Sequence, residues 1–308
     1  MEASAREGAR DVQRRWPGRP EGDRAAFCQA WGLPLCPLTH VADEFLLRGH
    51  RLRGFAADAG AGGDCFFLSV AASLQALRAH HELPAPLEAL FSGGASRAGV
   101  AERLRGVVGA AVLEWRPAQF LDFATTCLAE EVAGTWLDRW RMSAQIAGTP
   151  YSFMRGVNAV MAVSVDRAQN LTLECKHGDS PGITRHKVRH GVKALSAMQR
   201  AVADQLSQAG DSHWATSLDI SILAAEFKIC FCILGNQATS MSRRATQAPA
   251  DVLHSYTATV TDAQVYVCLY NISFQHFQLI FFDLESGFQS SFLPTEMPAS
   301  LLNALSNA

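Results

Sequence analysis

From Phe66 to His80 the apolar residues Phe67, Val70, Ala71, Leu74 and Leu77 recur at helical spacing, which gathers them on one core-facing stripe. The same period returns over 97–114, over 119–132 beyond the breaker Pro117, and over 192–208 and 215–226. Asp211 or Ser212 would cap the last of these, and "GTWLDRWRMSAQI" also reads as helical. A different grammar appears in "FKICFCIL", "QVYVCLY" (264–270) and "HFQLIFF" (276–282), β-branched and aromatic runs of strand length, with "NISFQ" turning between the last two. "NAVMAVSVDRAQNLTLEC" alternates on either side of "DRAQN", as a hairpin would. "GFAADAGAGG", "LPAPLEALFSGGAS", "KHGDSPGITRHKVRHG" and the polar 237–250 read as loops. Helices first and a sheet later make an α+β domain.

Composition narrows the classes. A chain of 308 residues, 48% hydrophobic and 18% charged, can bury a proper core. A formal charge of -2 gives no global reason to expect nucleic acid or an anionic membrane as partner. No stretch approaches the ~18 apolar residues of a membrane span, so none is expected. The eight cysteines include no CxxC pair and several sit in apolar runs, which suits a reducing, intracellular and cytoplasmic setting rather than a disulfide framework. Within residues 1–24 six arginines are balanced by Glu2, Glu7, Asp11, Glu21 and Asp23, and residues 1–26 read as a flexible arm.

One cysteine stands apart. In "GAGGDCFFLSVAASLQ", residues 60–75, a glycine-rich loop ends in Cys65 and turns at once into the first helix. A thiolate is the reactive form of cysteine, and the unsatisfied N–H groups of a helix start favour it. Backbone amides of Gly62, Gly63, Asp64 and Cys65 are candidates for an oxyanion hole. Nucleophilic catalysis also needs a base. His80 and His81 end the helix that Cys65 starts, about 20 Å away at 1.5 Å per residue. His276 instead heads a rigid hydrophobic strand and is the better partner.

Three segments, "GGDCFFLSVAASL", "HWATSLDISILAAEFKICFCIL" and "SFQHFQLIFF", in this order, resemble the blocks of the ovarian-tumour (OTU) cysteine proteases: a Cys loop and helix, a Trp-led helix running into a core strand, and a His-aromatic strand. The resemblance implies a papain-like fold, with a small central sheet packed between helices, and a deubiquitinase acting on ubiquitin or polyubiquitin. Cys65 would be the nucleophile and His276 the base, with no metal or cofactor. Phe277 and Trp214 would shape the substrate channel. An OTU-like ubiquitin-binding module without turnover, or an unrelated papain-like hydrolase, are the alternatives.

Two departures from that family stand out. The group that orients the histidine is usually an acid three residues before the cysteine or an Asp or Asn two residues after the histidine; here these positions hold Gly62 and Gln278. Gln278 keeps an amide oxygen for the imidazole and ranks ahead of Asp58 in the loop and Asp283 on the strand as the orienting group. The chain is also long: a catalytic domain over 27–300 would carry an additional helical insertion at about 134–210, with 301–308 as a tail. Within it Trp136, Trp140 and Phe153 suit either a recognition surface or a core. Cys175, His177, His186 and His190 have incomplete zinc spacing, and a solvated basic face accounts for them more simply.

Overall fold

The computed structural model describes residues 22–36, 44–47, 50–120, 157–165, 171–177, 182–188, 191–210, 213–235, 254–258, 262–272, 276–284 and 287–306. The chain divides into two compact units, residues 1–104 with 214–308, and residues 105–213.

The first unit is built on a mixed sheet. Its strands are β1 (Leu35–Cys36), β2 (Glu44–Leu47), β3 (His50–Ala57), β7 (Ile229–Gly235), β8 (His254–Ala258), β9 (Val265–Ile272), β10 (His276–Leu284), β11 (Gly287–Gln289) and β12 (Ser291–Phe292). They run in the order β1-β3-β10-β9-β7-β8, with β2 beside β3, β11 beside β10 and β12 beside β9. The β7–β9 pair is parallel and β10 is antiparallel to both β3 and β9. The helices are α1 (Gly22–Ala30), α2 (Cys65–Arg78), α3 (Ala85–Ala89), most of the first half of α4 (Arg97–Glu114), α6 (Ser217–Phe227) and α7 (Ala299–Ser306).

Period-two alternation along β10 explains why this sheet is covered on both faces. Ile280 and Phe282 join Leu52, Cys232, Cys268 and Tyr270, with Met297 and Leu301 laid over them. Leu279 and Phe281 join Phe55 and Ala57 of β3, covered by Phe27 and Trp31 and by Ala72 of α2. The second face is an aromatic cluster: Phe281 meets Phe27 edge-on at 5.0 Å and stacks on Phe55 at 5.4 Å between ring centroids. β7 is buried at six consecutive positions, as a strand enclosed on both faces must be.

Local chemistry sets the entry to β7. Thr216 caps α6, its hydroxyl accepting from Leu218 N–H while Asp219 Oδ2 accepts from Thr216 N–H at 2.7 Å, a capping box. The cap is therefore Thr216; Asp211 and Ser212 lie outside the described residues. Lys228, left-handed at φ 54, ends the helix and reverses the chain into the strand.

In the second unit β4 (Val157–Val165), β5 (Leu171–His177) and β6 (Ile183–Val188) form an antiparallel sheet in that order, packed with α5 (Gly191–Ser207). The Gln199 amide donates to Val112 O at 2.7 Å and Trp115 O at 3.0 Å, satisfying carbonyls at the end of α4. The Arg105 guanidinium, fully buried, donates to His213 O at 3.0 Å. Gly109 is required where α4 passes α5: a Cβ there would fall on Ser207 and lie 2.6 Å from the Ala203 carbonyl.

Five sequence expectations change. The helical insertion at 134–210 contains a three-stranded sheet, and "KHGDSPGITRHKVRHG" is not all loop, because its charged residues lie on the edge strand β6. "GFAADAGAGG" opens with the end of β3, whose small Gly54, Ala56 and Ala57 leave no bulky β signal. The sheet is larger than the small one expected, with nine strands. Helix α1 begins at Gly22, inside the stretch 1–26 read as an arm. The α+β class suits the mixed sheet and its helices. The expected helices over 121–132 and around Trp136 and Trp140, with Phe153 and the loop 237–250, fall outside the described residues. Among the described residues no helix is long and apolar enough to cross a membrane.

Phe281, 1% exposed at the centre of the aromatic cluster, gives the first prediction. Phe281→Ala should cost about 3–5 kcal/mol of stability, read as an earlier midpoint in urea denaturation with an unchanged slope.

Candidate active site

The site forms where β3 stops. After Ala57 the chain leaves the sheet at Asp58, whose Oδ1 accepts from Gly60 N–H at 2.9 Å and whose own N–H donates to Pro34 O at 3.0 Å. Gly60 at φ 152 and Gly62 at φ 78 then adopt angles that side chains resist, and a Cβ on Gly60 would strike the Leu68 side chain. A single 3₁₀ turn over Gly62–Asp64 delivers Cys65 to the first position of α2.

The thiol is held by the histidine strand. The last registered pair of β3 with β10 is Ala57 with Leu279, so Phe277, two residues earlier, presents its N–H and C=O towards the place β3 has vacated. Helix α2 takes that place. Phe277 N–H donates to Cys65 Sγ at 3.4 Å, and Ser69 Oγ donates to Phe277 O at 3.3 Å. Cys65 Sγ thus lies against the peptide nitrogen that His276 itself joins, and Cys65 is only 2% exposed. A donor aimed at sulfur, together with the helix start, stabilises negative charge there.

His276 Nε2 lies 3.2 Å from Asp58 Oδ2, with the two side chains 24% and 26% exposed. A carboxylate only accepts, so Nε2 carries the proton in this contact and Nδ1 remains the basic nitrogen of the neutral ring. Asp58 is in turn fixed through its other oxygen by Gly60. Thiol, imidazole and carboxylate thus share one end of the sheet.

Each expected residue has a definite place. Gln278 does not bond the imidazole: its Oε1 is buried without a partner, and the group on His276 is Asp58. Asp283 sits at the far end of β10, opposite Phe288. Gly62, Gly63 and Asp64 form the turn beneath Cys65, but the Cys65 N–H donates to Gly62 O and is committed to that turn. Phe277 is 5% exposed and packs edge-on against Phe66 at 5.1 Å, so its ring belongs to the core and its backbone to the site. Trp214 is 46% exposed just before the Thr216 cap. Because α6 packs on β7 and turns into it at Lys228, its start points towards Gly235, which is registered with Asn271, itself opposite Phe277. His81, at the other end of α2, pairs with Glu296 at 3.2 Å. Cys175 and His177 lie on β5 and His186 on β6 opposite Leu173, while His190 is outside the described residues. Among the described residues no group of three or more His, Cys, Asp or Glu could hold a metal.

Four other cysteines, Cys28, Cys36, Cys230 and Cys232, are held towards the protonated thiol. Burial, with a smaller push from Cys36, raises Cys28 from 9.0 to about 12. Cys230 is raised by its contact with Cys232 and by burial. Cys232, although Cys230 pulls it down, is held high by Cys268 and burial. Cys36 is raised by burial first and then by the Asp58 charge, against hydrogen bonds from the Asp58 backbone and the Gln278 side chain.

Comparison with known proteins finds no matching family model, no matching curated protein and no matching solved structure.

Iodoacetamide at about pH 7.5 should leave Cys28, Cys230 and Cys232 unmodified until the chain is unfolded, as read by peptide mass. Cys28 also sets an alkaline limit. The folded chain keeps that proton up to about 12 whereas an ordinary thiol releases it at 9.0, so stability should fall as pH rises above 9.0. The expected slope from this thiol is about 1.4 kcal/mol per pH unit, measured by urea denaturation at stepped pH.

Proposed function

We propose that the chain is an OTU-like, thiol-dependent deubiquitinase that hydrolyses the isopeptide bond after the C-terminus of ubiquitin or a ubiquitin-like modifier. The observation that carries this reading is the contact of Asp58 with His276 beside a thiol bound to the next peptide N–H. Asp58 supplies the orienting carboxylate that neither position 62 nor position 278 provides. The alternation of a glycine loop, a Cys-led helix and a His-led strand is the part the resemblance rests on.

His276 Nδ1 takes the Cys65 proton, and sulfur attacks the isopeptide carbonyl carbon, giving a tetrahedral oxyanion. Gly63 and Asp64 amides in the turn below Cys65 are the candidate donors to that oxygen. The carbon–nitrogen bond breaks as the imidazolium protonates the leaving lysine amine, and a thioester remains. Water, deprotonated by the same imidazole, attacks the thioester; the thiol is restored and a free carboxylate leaves. Asp58 keeps the ring oriented and offsets its charge in both halves. No step needs a metal or cofactor. Trp214, exposed at the start of α6, offers an apolar surface for the incoming tail. The free cysteines among the described residues, Cys28, Cys36, Cys65, Cys230, Cys232 and Cys268, suit a reducing intracellular compartment.

One observation favours a second reading, a ubiquitin-binding module without turnover: Cys65 is 2% exposed, so a substrate carbonyl must displace whatever covers it.

Ubiquitin carrying a C-terminal electrophile separates these readings by intact mass. The expected result is one ubiquitin adduct on the wild type, none on Cys65→Ala, and labelling slowed by at least about 100-fold in His276→Ala and Asp58→Asn. Binding without an adduct selects the module; neither binding nor adduct rejects the ubiquitin reading.

A further inference from the structure

Near the end of β9 the chain keeps an amide that the fold itself does not use. Asn271 Oδ1 is buried and has no hydrogen-bond partner. A shielded acceptor left unpaired is destabilising, and an aliphatic side chain would fill the place without that cost. Such a group points to a partner that arrives from outside. The register of the sheet fixes where it stands. Asn271 is opposite Phe277 in the antiparallel β9–β10 pair. Phe277 gives its N–H to Cys65 and its C=O to Ser69, away from β9, so the two residues form the closer, non-hydrogen-bonded kind of pair, with Cα atoms about 4.5 Å apart. Directly opposed side chains share a face. Phe277 turns its ring onto Phe66, so Asn271 stands on the face covered by α2, the helix that Cys65 begins. With Phe277 N 3.4 Å from Cys65 Sγ, the pair spacing and one N–Cα bond put the Asn271 Cα no more than about 9.5 Å from the sulfur. On its other side Asn271 is registered with Gly235, which adds no side chain to this face. Helix α6, with the exposed Trp214 just before its cap, begins on the Gly235 side of β7.

We propose that Asn271 is a substrate-binding residue that takes the main chain of an extended peptide tail lying between Trp214 and Cys65: Oδ1 accepts a tail N–H and Nδ2 donates to a tail C=O. This rests on the reading of Cys65 as the nucleophile and of a modifier's C-terminal tail as the group delivered to it. At about 3.3 Å per extended residue, the bound on its distance from the sulfur sets Asn271 against the last three residues before the bond that is cut. A carboxamide carries an acceptor and donors without a charge, which suits a peptide group and costs less to shield than a carboxylate would. Oδ1 meets the tail by rotation about χ2, a broad torsion in asparagine. The contact is to main chain, so Asn271 sets how far the tail advances over Cys65, while Trp214 supplies apolar area further out.

The test is a cycle between Asn271→Ala and a backbone change in the tail. Ubiquitin with a C-terminal fluorogenic amide is made with an all-amide tail and in three further forms, each with the N–H of one of the last three tail residues replaced by an ester oxygen. With wild type, one of the three esters should lower kcat/KM roughly 10-fold. Asn271→Ala should lose a similar factor on the all-amide tail and nothing further with that ester. Its melting temperature should match that of wild type, because Oδ1 makes no hydrogen bond within the chain. If Asn271→Ala fails to fold, Asn271→Leu takes its place, and failure of both makes the residue structural and overturns the proposal. Ester losses that are equal in wild type and variant, or absent from both, also overturn it, while turnover by wild type leaves the ubiquitin reading standing. Where ubiquitin binds without turnover, the same cycle is read from Kd with the same expected factors. If wild type neither binds nor cleaves ubiquitin, the functional reading fails and the proposal with it.

Discussion

The peptide group of Phe277 is the joint between the two halves of the site. Its N–H is given to the Cys65 sulfur and its C=O takes the Ser69 hydroxyl, so both polar groups that a neighbouring strand would have satisfied go to the first two turns of α2. A buried peptide must find such partners, and here they fix the helix in both height and rotation. The geometry follows from an interruption: β3 pairs with β10 as far as Ala57 and Leu279 and then leaves the sheet. If β3 ran two residues further, Phe277 would be paired in the ladder and the thiol would lose its donor. The glycine loop is the means of departure, since the backbone must leave the sheet, bend through Gly60 and Gly62 and return as a helix within a few residues.

Packing then makes the joint rigid. Phe277 turns its ring against Phe66 of the same helix, while Phe66 also meets Phe231 at 5.6 Å, so the peptide and its side chain grip α2 from one strand and β7 supports it from another. Further along, Ser73 Oγ lies 3.4 Å from Ser290 O and Ser291 Oγ donates to Ser73 O at 3.0 Å. These buried polar contacts pin the middle of the helix to β12 and its approach. Cys65 is therefore positioned by a helix tied down along its length, which is the condition for holding reacting groups to a fraction of an ångström.

Sequence period made some of this legible and left some of it hidden, for reasons that differ by residue. Helix α2 and strand β10 were readable because each shows a strong period, and Cys65 and His276 stand at their ends, where chemistry is easiest to suspect. The hairpin β4–β5 was readable from alternation. β3 was not, since Gly54, Ala56 and Ala57 are small for a steric reason: they lie between two covered faces, and two are wholly buried. β6 was hidden by its charge, which is ordinary for an edge strand. Asp58 was nameable as a nearby carboxylate, but only the end of β3 shows why it meets the histidine, and that strand end was the element the composition concealed.

The location of the carboxylate also has an energetic reason. Position 278 shares a face with His276 but is 5% exposed, and an ionised acid there would lose nearly all its hydration beside apolar Ile280 and the half-buried Cys36. Position 62 lies in the turn at a φ of 78, a left-handed angle that glycine takes most readily. Asp58 avoids both costs. It stands at the edge of the sheet with its side chain 26% exposed, keeps part of its water, and satisfies the remainder with Gly60 N–H and the imidazole. An amide at 278 is what such a buried position tolerates, being neutral, and placing the charge one strand over lets the site keep a carboxylate without burying it.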